Sequence, residues 1–472
     1  MKVQHYLPLI LGTVFLMNAY AKDYRIPDGS VYREGSPGHT RITTWQGGKL
    51  AAITITYDDG TINQFRVARP IMNNLGFPGT FFINTGNIKG SGIGKFIGRA
   101  ADEIIKETAS IPANAENFFE RASLIAYTGI SGALDFHTRS GALFEYNSAA
   151  EAYSLLDEAY EQVRNSNIKN TEKADNQSDR WSSTNWEDLK AYTAEGHEIA
   201  SHMVTHPRMA VLDEANMIYE LEQSRADIKK FLGEKYTFSA ECPFGTEDER
   251  VMEYAHRFYP ALRNRMPEPF LEELNRSSNK QPGDSDKEYV QWQRGPLTSI
   301  SMEKMKSWVD TCMAHSNIWL VLVFHGVDGI GWEARTGEEL EEYFTYMKER
   351  QSSLWIATFA DVTKYIRERK NAVISSKVQE ESINVHISTE LDLQVYNVPL
   401  TVKTYLPETW KTILLTRQTK DPPLKLTAEK DELGTYVMYS YTPGEGEIRL
   451  SGLTGISNKA LDIEMEEGSS GK

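Results

Sequence analysis

Ala51-Ala52-Ile53-Thr54-Ile55-Thr56-Tyr57-Asp58-Asp59-Gly60 decides the fold of this chain. The first seven residues are apolar or β-branched and read as a strand buried on both faces. Two carboxylates end it, and Gly60 frees the backbone to turn. Adjacent carboxylates repel, so both ionise comfortably only beside a cation. Alone, such a pair is usually no more than a turn, and its surroundings give it meaning. Gln64 to Leu75 follows as a helix that Gly76 stops in the left-handed position suited to a helix end. Gly79 to Asn84 then reads as a second strand.

The same alternation continues along the chain. Trp186 to Glu195 is helical and His197 to Ser201 a short strand. Asp213 caps a helix to Phe231, with Gly233 just beyond it. Thr237 to Cys242 is a strand, Glu247 to Arg257 a helix and Phe258 to Arg263 a strand. Met302 to His315 is a helix, and Ile318 to Phe324 is almost wholly apolar. Thr336 and Glu339 have capping-box spacing at the start of another helix. Leu354 to Thr358 is a strand, followed by a helix to about Arg369. Repeated strand–helix units imply a parallel sheet, open or closed into a barrel.

Two regions break this rhythm. Between about 90 and 184, Phe96, Ala100, Ile104 and Thr108, then Tyr153, Leu156, Tyr160 and Val163, follow a helical repeat. This predicts a helical insertion ending in a polar loop, Asn165 to Asn185. It either shapes the substrate site, as barrel loops do, or is a cap without substrate contact. From 371 onward, Ile383 to Ile387, Leu391 to Val395, Thr401 to Tyr405, Thr412 to Thr416 and Tyr436 to Tyr441 are short β-type runs between turns. They predict a small C-terminal all-β domain, a β-sandwich over 371–472 with a disordered tail. Packing or glycan binding are its two candidate roles.

Bulk properties narrow the compartment and the partners. The 472 residues are 40% hydrophobic and 25% charged, with a formal net charge of −15. That charge repels phosphate, which argues against nucleic acid. Lys2, the apolar run Tyr6 to Met17 and Ala19-Tyr20-Ala21 read as a secretory signal of residues 1–21. The expected protein is therefore exported, periplasmic or extracellular, with no transmembrane segment after cleavage. Cys242 and Cys312 make no disulfide framework and are expected as buried thiols rather than a bridge.

Two further segments carry chemistry. Gly196-His197-Glu198-Ile199-Ala200-Ser201-His202-Met203-Val204-Thr205-His206 puts His202 and His206 four apart, close enough to share one metal ion. Leu322-Val323-Phe324-His325-Gly326 puts His325 just past an apolar strand. In a parallel barrel it would face the same end as Asp58 and His202.

As an ordered set these residues resemble the polysaccharide deacetylase family, which shares the nodulation-protein-type deacetylase domain. Thr56-Tyr57-Asp58-Asp59-Gly60 is similar to its Thr-Phe-Asp-Asp-Gly motif, with Tyr57 for Phe. His202 and His206 match its His-Ser/Thr-x-x-His, and Leu322 to His325 its late Leu-x-x-His. The resemblance covers about residues 50 to 367. It implies a distorted (β/α) barrel over 22–370 and a metal-dependent hydrolase of acetylated carbohydrate, N- or O-linked. Asp59, His202 and His206 would bind one divalent ion, zinc first, with cobalt or nickel suited as well. Asp58 would be the general base and His325 the general acid.

The family's Arg-x-Pro-Tyr motif is only half present, as Glu241-Cys242-Pro243-Phe244-Gly245. Pro243 and Gly245 fit, and the Phe244 N–H would serve an oxyanion. Glu241 stands where the resemblance implies an arginine beside the base, so Arg263 or Arg265 is expected to replace it. Without either, Glu241 would raise the pKa of Asp58. Two alternatives stay open at this point: a catalytically inert glycan-binding protein on the same fold, and a hydrolase of another non-peptide C–N bond.

Overall fold

A computed structural model describes residues 32–130, 132–165, 184–419 and 421–453. The signal-like residues 1–21, most of the polar loop and the C-terminal tail lie outside these. The chain divides into two compact units, a smaller one with residues up to 41, 372–390 and 402–472, and a larger one with residues 42–371 and 391–401. The sequence places the boundary at 371 alone. The structure moves it at both ends, because β1 (Thr40–Ile42) joins a sheet of the smaller unit.

The larger unit is an α/β distorted barrel. Its strands are β2 (Ala51–Tyr57), β3 (Thr80–Ile83), β4 (Glu198–Ser201), β5 (Ser239–Ala240), β6 (Ala261–Leu262), β7 (Leu271–Leu274), β8 (Tyr289–Arg294), β9 (Ile318–Phe324) and β10 (Leu354–Ile356). The order is β6-β5-β4-β3-β2-β9-β8-β7, and every pairing along it is parallel. The path ends on β6 and β7. β10 pairs with the first residues of β2, on the edge whose last residues pair with β3.

All seven residues of β2 and all seven of β9 are buried. Helices cover one face of the sheet, where Ile53, Ile55 and Leu320 pack on Met305, Tyr343 and Phe344. Ala52, Phe82, Trp319 and Val321 fill the other face with Phe359 and Val362. That two-sided burial is why these strands read as continuous apolar runs. Gly76 ends the first helix at φ 70°, Asp213 caps Glu214–Leu232 through the Asn216 N–H, and Thr336 and Glu339 form the expected capping box.

Three expectations change. Phe258 to Arg263 shrinks to Ala261–Leu262, and Thr237 to Cys242 to Ser239–Ala240. β7 and β8 have no counterpart in the sequence reading; β8 carries Gln291 and Gln293, which blur its apolar pattern although both are buried. Leu391 to Val395 is a turn rather than a strand, held by the Val395 N–H on the Asp392 carbonyl and the Gln394 N–H on the Asp392 carboxylate. Both cysteines are buried free thiols, and no helix among the described residues is long and apolar enough to cross a membrane.

The smaller unit has two sheets, ordered β1-β13-β17-β16 and β11-β12-β18-β14-β15, the latter antiparallel throughout. The added strands are β11 (Val373–Val378), β12 (Ser382–Ser388), β13 (Leu400–Tyr405), β14 (Thr412–Arg417), β15 (Leu424–Thr427), β16 (Glu429–Lys430), β17 (Thr435–Tyr441) and β18 (Ile448–Gly452). Val437, Tyr439 and Tyr441 alternate inward on β17, and the Tyr441 hydroxyl donates to the Ile387 carbonyl of the other sheet at 2.7 Å.

The insertion is helical, with Ala101–Glu107, Phe118–Ala126, Ala133–Glu145 and Ala149–Asn165 around a core of Phe118, Leu124, Leu156 and Tyr160. His137 is buried within it. Its Nδ1–H donates to the Ala122 carbonyl at 2.8 Å, and its Nε2 accepts the Arg208 N–H at 2.9 Å. Only the neutral ring satisfies both bonds, and burial pushes its pKa down to about 4. Between that value and an unfolded value of about 6.5 the unfolded chain binds the extra proton, so stability falls with pH, by on the order of 3 kcal/mol in all. Urea unfolding at pH 7 and pH 5 is expected to show about 2 kcal/mol of this loss, and His137→Asn to show less of it. An unchanged pH dependence in the variant would sink the assignment.

Candidate active site

Parallel pairing puts the carboxyl ends of β2, β4, β5, β6 and β9 at one end of the barrel, where sites of such sheets form. Asp58 follows β2 directly, and its N–H extends the ladder to the Phe324 carbonyl at 3.0 Å. The buried Gln64 amide donates to the carbonyls of Asp58 and His325, at 2.5 and 2.7 Å. One side chain thus fixes the exits of β2 and β9 together. The Asn84 amide holds the His202 carbonyl at 2.7 Å.

The backbone is strained where the site forms. Asp59, Met203, His206 and Phe244 all have φ between 64° and 74°, a left-handed region that non-glycine residues rarely adopt. In this conformation Asp59 leaves the line of the strand and faces the histidines. Its Oδ1 lies 3.2 Å from His206 Nε2 and 3.7 Å from His202 Nε2. The donor atoms of Asp59, His202 and His206 all lie within 4.8 Å of one another. His202 Nδ1 is 2.9 Å from the Glu241 carbonyl, which can only accept, so Nδ1 carries the proton and Nε2 presents its lone pair. Burial keeps this ring neutral, with its pKa lowered to about 4. Two imidazoles and a carboxylate, with one ring oriented from behind, suit a divalent transition ion.

Glu220 explains how the loop between the two histidines is held, and the sequence reading passed over it. This fully buried carboxylate accepts the Val204 and Thr205 N–H groups at 2.7 and 3.0 Å, and the Thr205 and Tyr127 hydroxyls at 2.7 and 2.8 Å. A signal was present: Glu220 lies on the same helical stripe as Met217, Leu221, Ser224 and Ile228, where a carboxylate needs partners.

Beside the triad stands a second group. Arg263 grips Asp58 with two bonds of 2.7 Å and also donates to Thr56 Oγ1 at 2.8 Å. Its Nη2, which donates to Asp58 Oδ2, also meets Glu241 Oε1 at 2.9 Å. Burial alone would raise the Asp58 pKa, but the charge and hydrogen bonds of Arg263 outweigh it and hold the carboxyl well below its ordinary range. Glu241 goes the other way. Burial, with Glu247 and Asp58 nearby, pushes it up to about 8 against the pull of Arg263. His325 Nε2 lies 3.4 Å from Asp58 Oδ2.

The sequence left Arg263 and Arg265 as alternatives. Arg263 takes the place, and Arg265 does not: its Nε donates to the Glu247 carbonyl at 3.1 Å. Glu241 is therefore neutralised rather than free to raise Asp58. Asn264 also binds it, at 2.7 Å. Pro243 is buried in the turn after β5, while Phe244 is exposed and sets its ring edge-on to His206 with centroids 4.6 Å apart.

Comparison with known proteins gives a family match over part of the chain. Residues 160–259 match the model of a family described as polysaccharide deacetylase, a span that holds His202, His206, Glu241 and Phe244. A gellan lyase from Bacillus sp is 24% identical over 280 residues, 55% of this chain; the chain spans 11% of that protein's length. Among solved structures, the chitin deacetylase of Colletotrichum lindemuthianum is 13% identical with a TM-score of 0.31, covering 70% of this chain and 92% of its own. A family 4 carbohydrate esterase of Streptomyces lividans is 12% identical with a TM-score of 0.29, covering 64% and 90%. Residues 160–259, which hold both histidines of the triad, are thus similar to the polysaccharide deacetylase family.

Proposed function

We propose that this protein is a metal-dependent hydrolase that removes acetyl groups, N- or O-linked, from a polysaccharide or oligosaccharide. The observation that carries the reading is the convergence of Asp59, His202 and His206 within 4.8 Å, beside an Asp58 that faces His325. Asp59, His202 and His206 would hold one divalent ion, zinc first. When bound, such an ion polarises the acetyl carbonyl and acidifies water. Asp58, ionised and fixed by Arg263, takes the proton of the attacking water. His325 gives a proton to the leaving nitrogen or oxygen, the usual division between base and acid. The Phe244 N–H, in the left-handed turn after Pro243, donates to the developing oxyanion.

Acetate release from a panel of acetylated glycans, with and without chelator, tests the activity. His206→Ala is expected to lose most of about one bound divalent ion per chain, read by elemental analysis. Unchanged metal content in that variant would remove the ligand assignment. Acetate release that a chelator leaves intact would remove the metal dependence.

A further inference from the structure

Of the three residues that would hold the ion, one lies on a loop away from a strand end. Asp59 stands close behind β2 and His202 directly behind β4. His206 comes further on, in a loop where Met203 and His206 itself have φ 65° and 64°. A left-handed non-glycine residue persists only where its surroundings over-determine it. The His202 ring is fixed from behind by the Glu241 carbonyl at 2.9 Å. Among the described residues the His206 ring has no such hydrogen bond at Nδ1, the nitrogen turned from Asp59. Its place therefore depends on the backbone that carries it.

The helical insertion grips that backbone on both sides of His206. Before it, the hydroxyl of Tyr127, just past the insertion helix Phe118–Ala126, donates to Glu220 Oε1 at 2.8 Å. The same oxygen takes the Thr205 hydroxyl at 2.7 Å, and Oε2 takes the Val204 and Thr205 N–H groups. After it, the Arg208 N–H donates to His137 Nε2 at 2.9 Å, and the Arg208 guanidinium to Glu145 at 2.7 Å. His137 and Glu145 belong to the insertion helix Ala133–Glu145. Its Gly141 comes so near the loop that a Cβ there would lie 2.8 Å from the Arg208 and Val211 side chains. Val211 itself is buried in the insertion's own apolar core with Phe118 and Leu156. Further along, the Ser123 hydroxyl accepts the Asp213 N–H at 2.8 Å.

A cap that only covered the barrel would not gather its polar contacts on one loop. We infer that the helical insertion braces the third metal ligand: Tyr127 and His137 are positioning residues that hold the backbone on either side of His206 and so set how tightly the site keeps its divalent ion. This rests on the metal-site reading and gives the insertion a role other than contact with substrate. Groups that orient a ligand from outside typically change metal affinity about 10–100-fold when they are removed.

The test reads binding of zinc(II) and cobalt(II) to the purified full chain by competition with a chromophoric chelator, and it needs no substrate. Tyr127→Phe removes one hydroxyl and keeps the ring. It is expected to weaken binding at least about tenfold and to alter the visible absorption of the cobalt-loaded protein, which reports ligand geometry. Tyr160→Phe is the control: its hydroxyl donates to the Arg121 carbonyl at 2.8 Å, within the insertion and not toward the loop. It is expected to lower the denaturant midpoint about as much as Tyr127→Phe and yet to bind both ions as the wild type does. His137→Asn, on the other side of His206, is expected to weaken binding in the same direction, and its affinity decides the matter should Tyr127→Phe not fold. Binding in Tyr127→Phe as tight as in Tyr160→Phe would overturn the brace and leave the metal site in place. A wild type that binds neither ion would overturn the ligand assignment and the brace with it.

Discussion

Asp58→Asn is expected to lower acetate release by about 10²–10⁴-fold, the usual cost of removing a general base, while the fold and the metal content persist. The amide has nearly the shape of the carboxylate but cannot accept the water's proton. Arg263 keeps other partners, since Glu241 Oε1 stays 2.9 Å away and Thr56 Oγ1 stays at 2.8 Å. The neighbouring ligands Asp59, His202 and His206 are positioned by their own elements, with Glu220 holding the loop between the two histidines. Metal analysis and circular dichroism would show the persistence, and initial rates of acetate release the loss. Near-wild-type rates would refute the base assignment. Loss of the metal along with activity would show instead that Asp58 helps to hold the ion.

Arg263→Met should be the most destabilising single change in the site, by about 3–5 kcal/mol, because it strips the cation from the buried Asp58 carboxylate and a donor from the buried Glu241. Asp58 is 2% exposed and Glu241 1% exposed, so water cannot replace the guanidinium at either. A second change separates this cause from lost packing. Glu241→Leu in the Arg263→Met background removes one of the two stranded acids and should recover part of the loss. Arg263→Lys tests the geometry: one ammonium cannot span Asp58, Thr56 and Glu241 as the planar fork does. The lysine variant is therefore expected to fold better than Arg263→Met and still lose kcat. Denaturant midpoints and rates for the three variants check this. A loss below about 1 kcal/mol in Arg263→Met would mean that the carboxylates find other partners, and the role given to Arg263 would fail.

The strands that carry the chemistry announce themselves in the sequence. β2 and β9 are buried on both faces, so every residue must be apolar or small, and the acids and imidazoles that follow stand out against that background. Helix stops at Gly76 and Gly233 and caps at Asp213 and Thr336 are equally local, since a helix end is settled within a few residues of chain. The parallel rhythm then places Asp58, His202 and His325 at one end without any knowledge of contacts.

What the sequence left open depends on atoms far apart in the chain. β8 hides because Gln291 and Gln293 are buried on it, where the Gln293 amide donates to the Gln291 side-chain oxygen and to the Arg263 carbonyl. Arg263 and Arg265 are equivalent in a strand of period two. The structure separates them because β6 ends at Leu262 and the Arg265 N–H turns back to the Leu262 carbonyl, which leaves only Arg263 aimed at Asp58. Sequence thus determined which acids and imidazoles follow the buried strands and at which end of the sheet they meet, since strand burial and strand direction are local properties. Tertiary structure alone decided that Glu241 is paired rather than free, that Glu220 holds the histidine loop, and that His137 of the insertion meets Arg208 of that loop. Each of these is a pairing between segments brought together by the barrel, and no local pattern encodes such a meeting.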